Sequence, residues 1–190
     1  MNRVKYIKKR LNGKILDVGY YACTLHEEVL KSAGKENVYG IDTETKRETK
    51  HYKKGSAEER TLFPANEFDT ILAGELIEHL KKPEKFLKEA NRLLKKGGKI
   101  IITTPNKDSL MNKVFHNNEA PLHFSLFNTQ TLTKILNKTG FEVEDFTYLP
   151  YTIESSEGSN NPWSFPIRQA ISIILPKKFR EELIVTARKK

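Results

Sequence analysis

The sequence predicts an α/β fold, a mostly parallel sheet with helices packed on both faces. Three observations carry this. Short apolar runs of strand length alternate with segments of helical period. Glycine, proline or asparagine stands at most of the switches between them. The chain of 190 residues suffices for one α/β domain with a sizeable core and is short for two. No repeat or linker divides it, so residues 1–190 are expected to form a single domain, with a basic helix within 1–13 and a loop or lid over 151–166.

The elements follow in order. Ile15–Val18 is an apolar run ending at Gly19 and reads as a buried strand. Thr24-Leu25-His26-Glu27 has the pattern of a capping box, the Thr24 hydroxyl accepting from a backbone N–H three residues on. Leu25, Val29, Leu30 and Ala33 then line one helical face, and Gly34 sits where a helix C-terminal glycine belongs. Val38–Ile41, ending at Asp42, is a second strand and His51–Lys54 a weak third, the polar Thr43–Lys50 being too short for a long helix. Asn66 reads as a turn before a fourth strand, Phe68–Ala73. Pro83 suits the first turn of a helix, where its missing N–H costs nothing. Phe86, Leu87, Ala90, Leu93 and Leu94 recur at helical spacing, Lys95 and Lys96 suit the negative end of the dipole, and Gly97-Gly98 stops the helix. Lys99–Thr104 is a β-branched strand ended by Pro105. Leu132, Ile135 and Leu136 mark a helix stopped by Gly140, and Phe141–Tyr148 alternates as a strand. Ile167–Leu175 reads as a short amphipathic or buried helix, and Glu182–Arg188 as the last strand. The order is β-α-β-(α)-β-α-β-α-β-α-β-α-β.

Composition narrows the class. Lys and Arg total 33 against 24 Asp and Glu, a formal charge of +9. That suits nucleic acid, anionic lipid or acidic metabolites, or simply a solvated lysine-rich surface; the lysines are spread and no run dominates. One cysteine, Cys23, excludes an internal disulfide framework and a cysteine-rich zinc site, and fits a reducing, cytoplasmic setting. No apolar run reaches membrane length, and none follows the basic stretch Met1–Lys14, so neither a membrane span nor a secretory signal is expected.

In an open α/β sheet, ligands bind at the carboxyl ends of the strands near the switch point. Four segments fall there: Ile15-Leu16-Asp17-Val18-Gly19, Asp42, Gly55-Ser56-Ala57-Glu58, and the block from Phe63 through Ala73-Gly74-Glu75-Leu76-Ile77-Glu78-His79 and Lys95-Lys96-Gly97-Gly98 to Thr104-Pro105-Asn106. Together they resemble the class I S-adenosylmethionine-dependent methyltransferases of the small-molecule type, and the resemblance runs from Ile15 onward. It implies a Rossmann-like, doubly wound, seven-stranded sheet with an antiparallel last strand, and S-adenosyl-L-methionine as cofactor. Asp17, Gly19 and Tyr20 would then hold its methionine end, and Asp42 would accept the ribose hydroxyls, as a carboxylate can from two O–H donors. Ser56 and Ala57 would read the adenine edge, and Gly74 and Glu75 would pack against the adenosine and methionine portions. The chain departs from the pattern at Tyr21 and Cys23, where the family has glycines, and at Ser56, where it commonly has aspartate.

Methyl transfer is an in-line displacement with a good leaving group, so the protein mainly holds the reactants in line. A base is needed only for a protonated nucleophile. His79 is the candidate base; the alternative is a ring that packs beside the cofactor loop. His123, among Phe124, Leu126 and Phe127, lines either a substrate pocket or the core. Trp163, within Pro162–Pro166, either covers the pocket or anchors the final helix. His26, His51 and His116 show no pattern, and no His, Cys, Asp and Glu set has zinc-site spacing, so no metal is expected. A dehydrogenase would need a Gly-x-Gly-x-x-Gly loop, which is absent. Base-amine methylating relatives carry an Asn- or Asp-Pro-Pro-aromatic motif where this chain reads Ala73-Gly74-Glu75-Leu76, though RNA ribose methylation stays open. The resemblance favours small-molecule acceptors: quinone precursors, other metabolites or glycans. The changes at Tyr21, Cys23 and Ser56 motivate an alternative, a catalytically inactive binding or regulatory protein of the same fold.

Overall fold

The computed structural model describes residues 2–21, 23–114, 123–150, 170–171 and 174–190. Its elements are α1 (Arg3–Lys8), β1 (Ile15–Val18), α2 (Thr24–Ala33), β2 (Val38–Asp42), β3 (Tyr52–Lys54), β4 (Phe68–Gly74), α3 (Pro83–Leu93), β5 (Leu94–Pro105), α4 (Leu110–Val114), α5 (Thr129–Lys138), β6 (Phe141–Leu149) and β7 (Glu182–Lys189), with 3-10 turns at Ile77–His79 and Lys177–Phe179. The seven strands form one sheet in the order β3-β2-β1-β4-β5-β7-β6. Strands β1 to β5 pair in parallel, and β7 runs antiparallel to both β5 and β6. The expected Rossmann-like, doubly wound sheet with an antiparallel last strand is the one that forms.

Strand periodicity divides the core. Leu16, Ile41, Ile71, Ile100 and Ile102 meet Phe86, Leu87 and Ala90 of α3 and Leu132 and Leu136 of α5. The alternate residues Ile15, Val38, Leu72, Ile101 and Ile184 meet Tyr6 and Ile7 of α1 and Leu25 and Val29 of α2. Burial on both faces explains why these strands read as continuous apolar runs. Helix α1 is also tied to the far end of the sheet: the Tyr6 hydroxyl donates to Asp145 at 2.6 Å and lies 3.3 Å from the Thr186 hydroxyl, and Arg10 reaches Asp145 at 2.9 Å.

The structure differs from the sequence reading in four places. The N-cap of α2 is Cys23, with no side-chain capping bond; Thr24 already lies in the helix, so the capping box does not form. Helix α3 ends at Leu93, ahead of the Gly97-Gly98 pair. Its last carbonyls are taken from outside, Arg92 by the N–H of Asn66 and Leu93 by that of Glu67, and Leu94 leaves to pair with Phe68 in the sheet. Neither Thr43–Lys50 nor the segment between β3 and β4 contains a helix; that second segment is a run of turns. Helix α4 was not expected: its apolar residues are too few to show a period. The lid region 151–166 and most of Ile167–Leu175 lie outside the described residues.

Candidate active site

Strand β1 continues into α2 on one face of the sheet, and β4 into α3 on the other, so a crevice opens between their carboxyl ends. Gly19 forms its floor, at a φ of 77° that favours glycine, and its N–H donates to Ile41 at 2.9 Å. A Cβ at Gly74 would lie 3.0 Å from Leu25, so the small residue at the end of β4 lets α2 approach. Asp42, at the end of β2, faces the loop after β1. Its two carboxylate oxygens accept from Tyr21 N–H at 3.1 Å and Glu44 N–H at 2.8 Å. The Ser56 hydroxyl accepts from Glu58 N–H at 3.1 Å within its own turn, and Ala57 packs on the core.

Beside the loop in which Tyr21 and Cys23 replace the family's glycines, three rings cluster. The Tyr20 ring lies 4.9 Å from both His26 and Tyr52, centroid to centroid, and its hydroxyl is 3.1 Å from that of Thr45. Asp17 is buried, and its carboxylate meets His26 Nδ1 at 2.8 Å, while His26 Nε2 lies 3.1 Å from the Tyr52 hydroxyl. Burial pushes the Asp17 carboxyl above its ordinary range, and His26 pulls it back in part. Asp17 is thus turned toward α2. His26 was missed because its sequence context fits a helix cap; the available signal is its distance of nine positions from Asp17, one strand and one turn away.

A second group of polar residues stands over β4 and β5. Glu75 holds a left-handed backbone, φ 49°, and its carboxylate accepts from the Thr103 hydroxyl at 3.0 Å and lies 3.8 Å from Arg3. Arg3 also lies 3.7 Å from Glu182. Glu78 is 1% exposed, with one oxygen accepting from the Thr104 hydroxyl at 3.0 Å and the other 4.0 Å from His79 Nε2. Burial raises the Glu78 carboxyl well above its ordinary range, and the charge of Glu75 adds to this. The rings of His79 and His123 stand 4.9 Å apart, and burial, helped by His79, lowers the pKa of His123. The structure therefore brings His79 and His123 together, beside Glu75 and near the crevice. Trp163 lies outside the described residues. Arg3 and Glu182 escape sequence reading because they come from opposite ends of the chain.

Known proteins give the same picture. A family described as a methyltransferase domain matches residues 3–145. The chain is 31% identical over 137 residues to a ubiquinone biosynthesis O-methyltransferase of Pelagibacter ubique, covering 60% of this chain and 56% of that one. It is 24% identical over 193 residues to the enzyme of the same description from Aliivibrio fischeri, covering 83% and 79%. Several curated relatives match over only about a third to just over half of their own length. Among solved structures, an S-adenosylmethionine-dependent methyltransferase of Archaeoglobus fulgidus superposes with a TM-score of 0.66 at 19% identity, covering 99% of this chain and 95% of that one. Strand order, the Gly19 turn, the acidic end of β2 and this family match agree: the chain belongs to the methyltransferase domain family, the class I fold that uses S-adenosylmethionine.

Proposed function

We propose that the chain transfers a methyl group from S-adenosylmethionine to a small-molecule acceptor. The observation that carries this is the Asp42 carboxylate, held at the carboxyl end of β2 across from the Gly19 turn. Two N–H groups fix its orientation and leave each oxygen a further lone pair for a ribose hydroxyl. Gly19, Tyr20, Ser56, Ala57, Gly74 and Glu75 border the remaining cofactor space, and Asp17 supports it from beneath through His26. The acceptor enters over β4 and β5. A phenolic or enolic quinone precursor fits best, because the two relatives described above act in ubiquinone biosynthesis and such an acceptor gives His79 a proton to remove. His123 borders that side, and Trp163 is assigned to its cover. The whole chain acts as one domain, in the cytoplasm. Among the described residues no helix is long and apolar enough to cross a membrane.

One observation favours a second reading, a non-catalytic binding protein. The loop after β1 carries Tyr21 and Cys23 in place of glycines, the rings of Tyr20, His26 and Tyr52 crowd beside it, and the Tyr21 N–H already engages Asp42.

Isothermal titration with S-adenosylmethionine and S-adenosylhomocysteine separates the two. The methyltransferase reading expects saturable binding, weakened about 10–100-fold in Asp42→Ala, the size of losing charge-assisted hydrogen bonds of about 1.5–3 kcal/mol. No binding by the folded protein selects the second reading, and binding indifferent to Asp42→Ala removes the ribose assignment.

A further inference from the structure

Glu78, His79 and His123 come from two separate stretches of chain, and no linear spacing connects them. In the fold, one ligand-type atom from each lies within 4.8 Å of the other two. The site is built rather than incidental. The Thr104 hydroxyl fixes one Glu78 oxygen and so aims the other at His79. The Glu78 backbone carbonyl accepts from Phe124 N–H at 2.8 Å and Ser125 N–H at 3.2 Å, which fastens the His123 segment against the Ile77–His79 turn. The aimed atom, Glu78 Oε1, is buried and has no hydrogen-bond partner among the described residues, and the same holds for His123 Nδ1. Buried polar atoms in a native fold have partners as a rule, and exceptions call for an explanation such as an ion.

We propose that Glu78, His79 and His123 form a binding site for a divalent transition-metal ion of the zinc type. Two imidazoles with one carboxylate suit zinc, manganese, iron or cobalt; magnesium and calcium prefer all-oxygen sites. Three protein donors leave a coordination position open, the arrangement of catalytic rather than structural zinc sites. Metal–ligand bonds of about 2.0–2.2 Å set donor separations of roughly 3.3–3.6 Å. The donors must therefore close in by roughly 0.5–1.5 Å, within reach of a rotation of the exposed His79 ring. Thr104 is then an outer partner that orients the carboxylate, as metal-ligating carboxylates usually have. An ion here stands over β4 and β5, on the acceptor side of the crevice, where its open position would take an acceptor oxygen. With the ion bound, His79 would serve as ligand instead of base, and the ion would lower the pKa of the acceptor hydroxyl in its place. The ion site rests on side-chain geometry alone and stands whether or not the chain transfers methyl groups.

The test uses the whole chain, stripped with chelator and dialysed against Zn2+, with Co2+ as a spectroscopic substitute. The expected result is one Zn2+ per chain, visible Co2+ ligand-field bands, and binding weakened at least about tenfold in His123→Ala. His123 is partly exposed, so that variant should fold; Glu78→Gln, checked by circular dichroism, gives a second reading. Absence of uptake by the folded wild-type chain overturns the proposal, as does uptake that His123→Ala leaves unchanged. S-adenosylmethionine titration of the same metal-free sample is read separately, so failure of the ion site and failure of the cofactor site are distinguished.

Discussion

A methyl carbon added at Gly40 would lie 2.5 Å from the Tyr20 ring and 2.8 Å from the Tyr52 ring. This glycine on β2 creates the space into which both rings lean, beside His26 and the buried Asp17. Nothing in the linear sequence marks it, because it sits inside an apolar strand. The cluster makes one prediction about pH. The folded Asp17 carboxyl holds its proton more tightly than the unfolded one, since burial raises its pKa. Its contribution to stability is therefore greatest below the unfolded value of about 3.9 and is lost as pH rises through the higher folded value. Asn carries no such penalty, so Asp17→Asn should gain stability relative to wild type as pH goes from about 4 to about 7. Urea midpoints of the two proteins measured across that range check this, and a constant difference would rule it out. The residues of the crevice that sequence could identify, Gly19 and Asp42, are those whose role depends on their place at a strand end. Those it could not identify, His26, Arg3 and Glu182, act through partners set by the fold.

At the scale of elements, the strands were legible because parallel strands buried on both faces are apolar throughout. Helix ends were less so. The end of α3 is decided by Asn66, Glu67 and Phe68, which approach from a different part of the chain and draw Leu94 into β5 before the glycines are reached. The start of α2 also departs from the sequence pattern: the cap position falls on Cys23, one residue ahead of Thr24. Helix α1 shows how an element of only six residues is held in place. Tyr6 is fully buried and bonds Asp145 of β6 beside Thr186 of β7, so one hydroxyl spans two strands. Tyr6→Phe keeps the ring and removes that link. It should cost about 0.5–1.5 kcal/mol in chemical denaturation. It should also leave cofactor binding unchanged, since the hydroxyl points away from the crevice toward the sheet edge. An unchanged midpoint would mean that Arg10 alone holds α1 to Asp145.

For the molecule as a whole, alternation of strands and helices foretold a doubly wound sheet, while the direction of β7 came only from family resemblance, because periodicity is blind to strand polarity. The place of β7 in the strand order has a consequence for biosynthesis. Among the described residues strand β6 pairs only with β7, and β7 lies between it and β5. Residues 150–181 separate the two strands in sequence, so β6 leaves the ribosome first and waits for the later segment to supply its neighbour. At about 5–20 residues per second the wait lasts a few seconds. During it the edge of β5 is open and Phe141, Val143 and Phe146 have no sheet to join. Such an interval invites chaperone contact or mispairing between nascent chains. Chains truncated after Glu181 and chains running to Lys190, each held to the ribosome by a tunnel-length linker, should differ: the first should be cut by protease within residues 141–149, and the second should resist. Equal protection in both would mean that β6 is sheltered before its partner strand arrives.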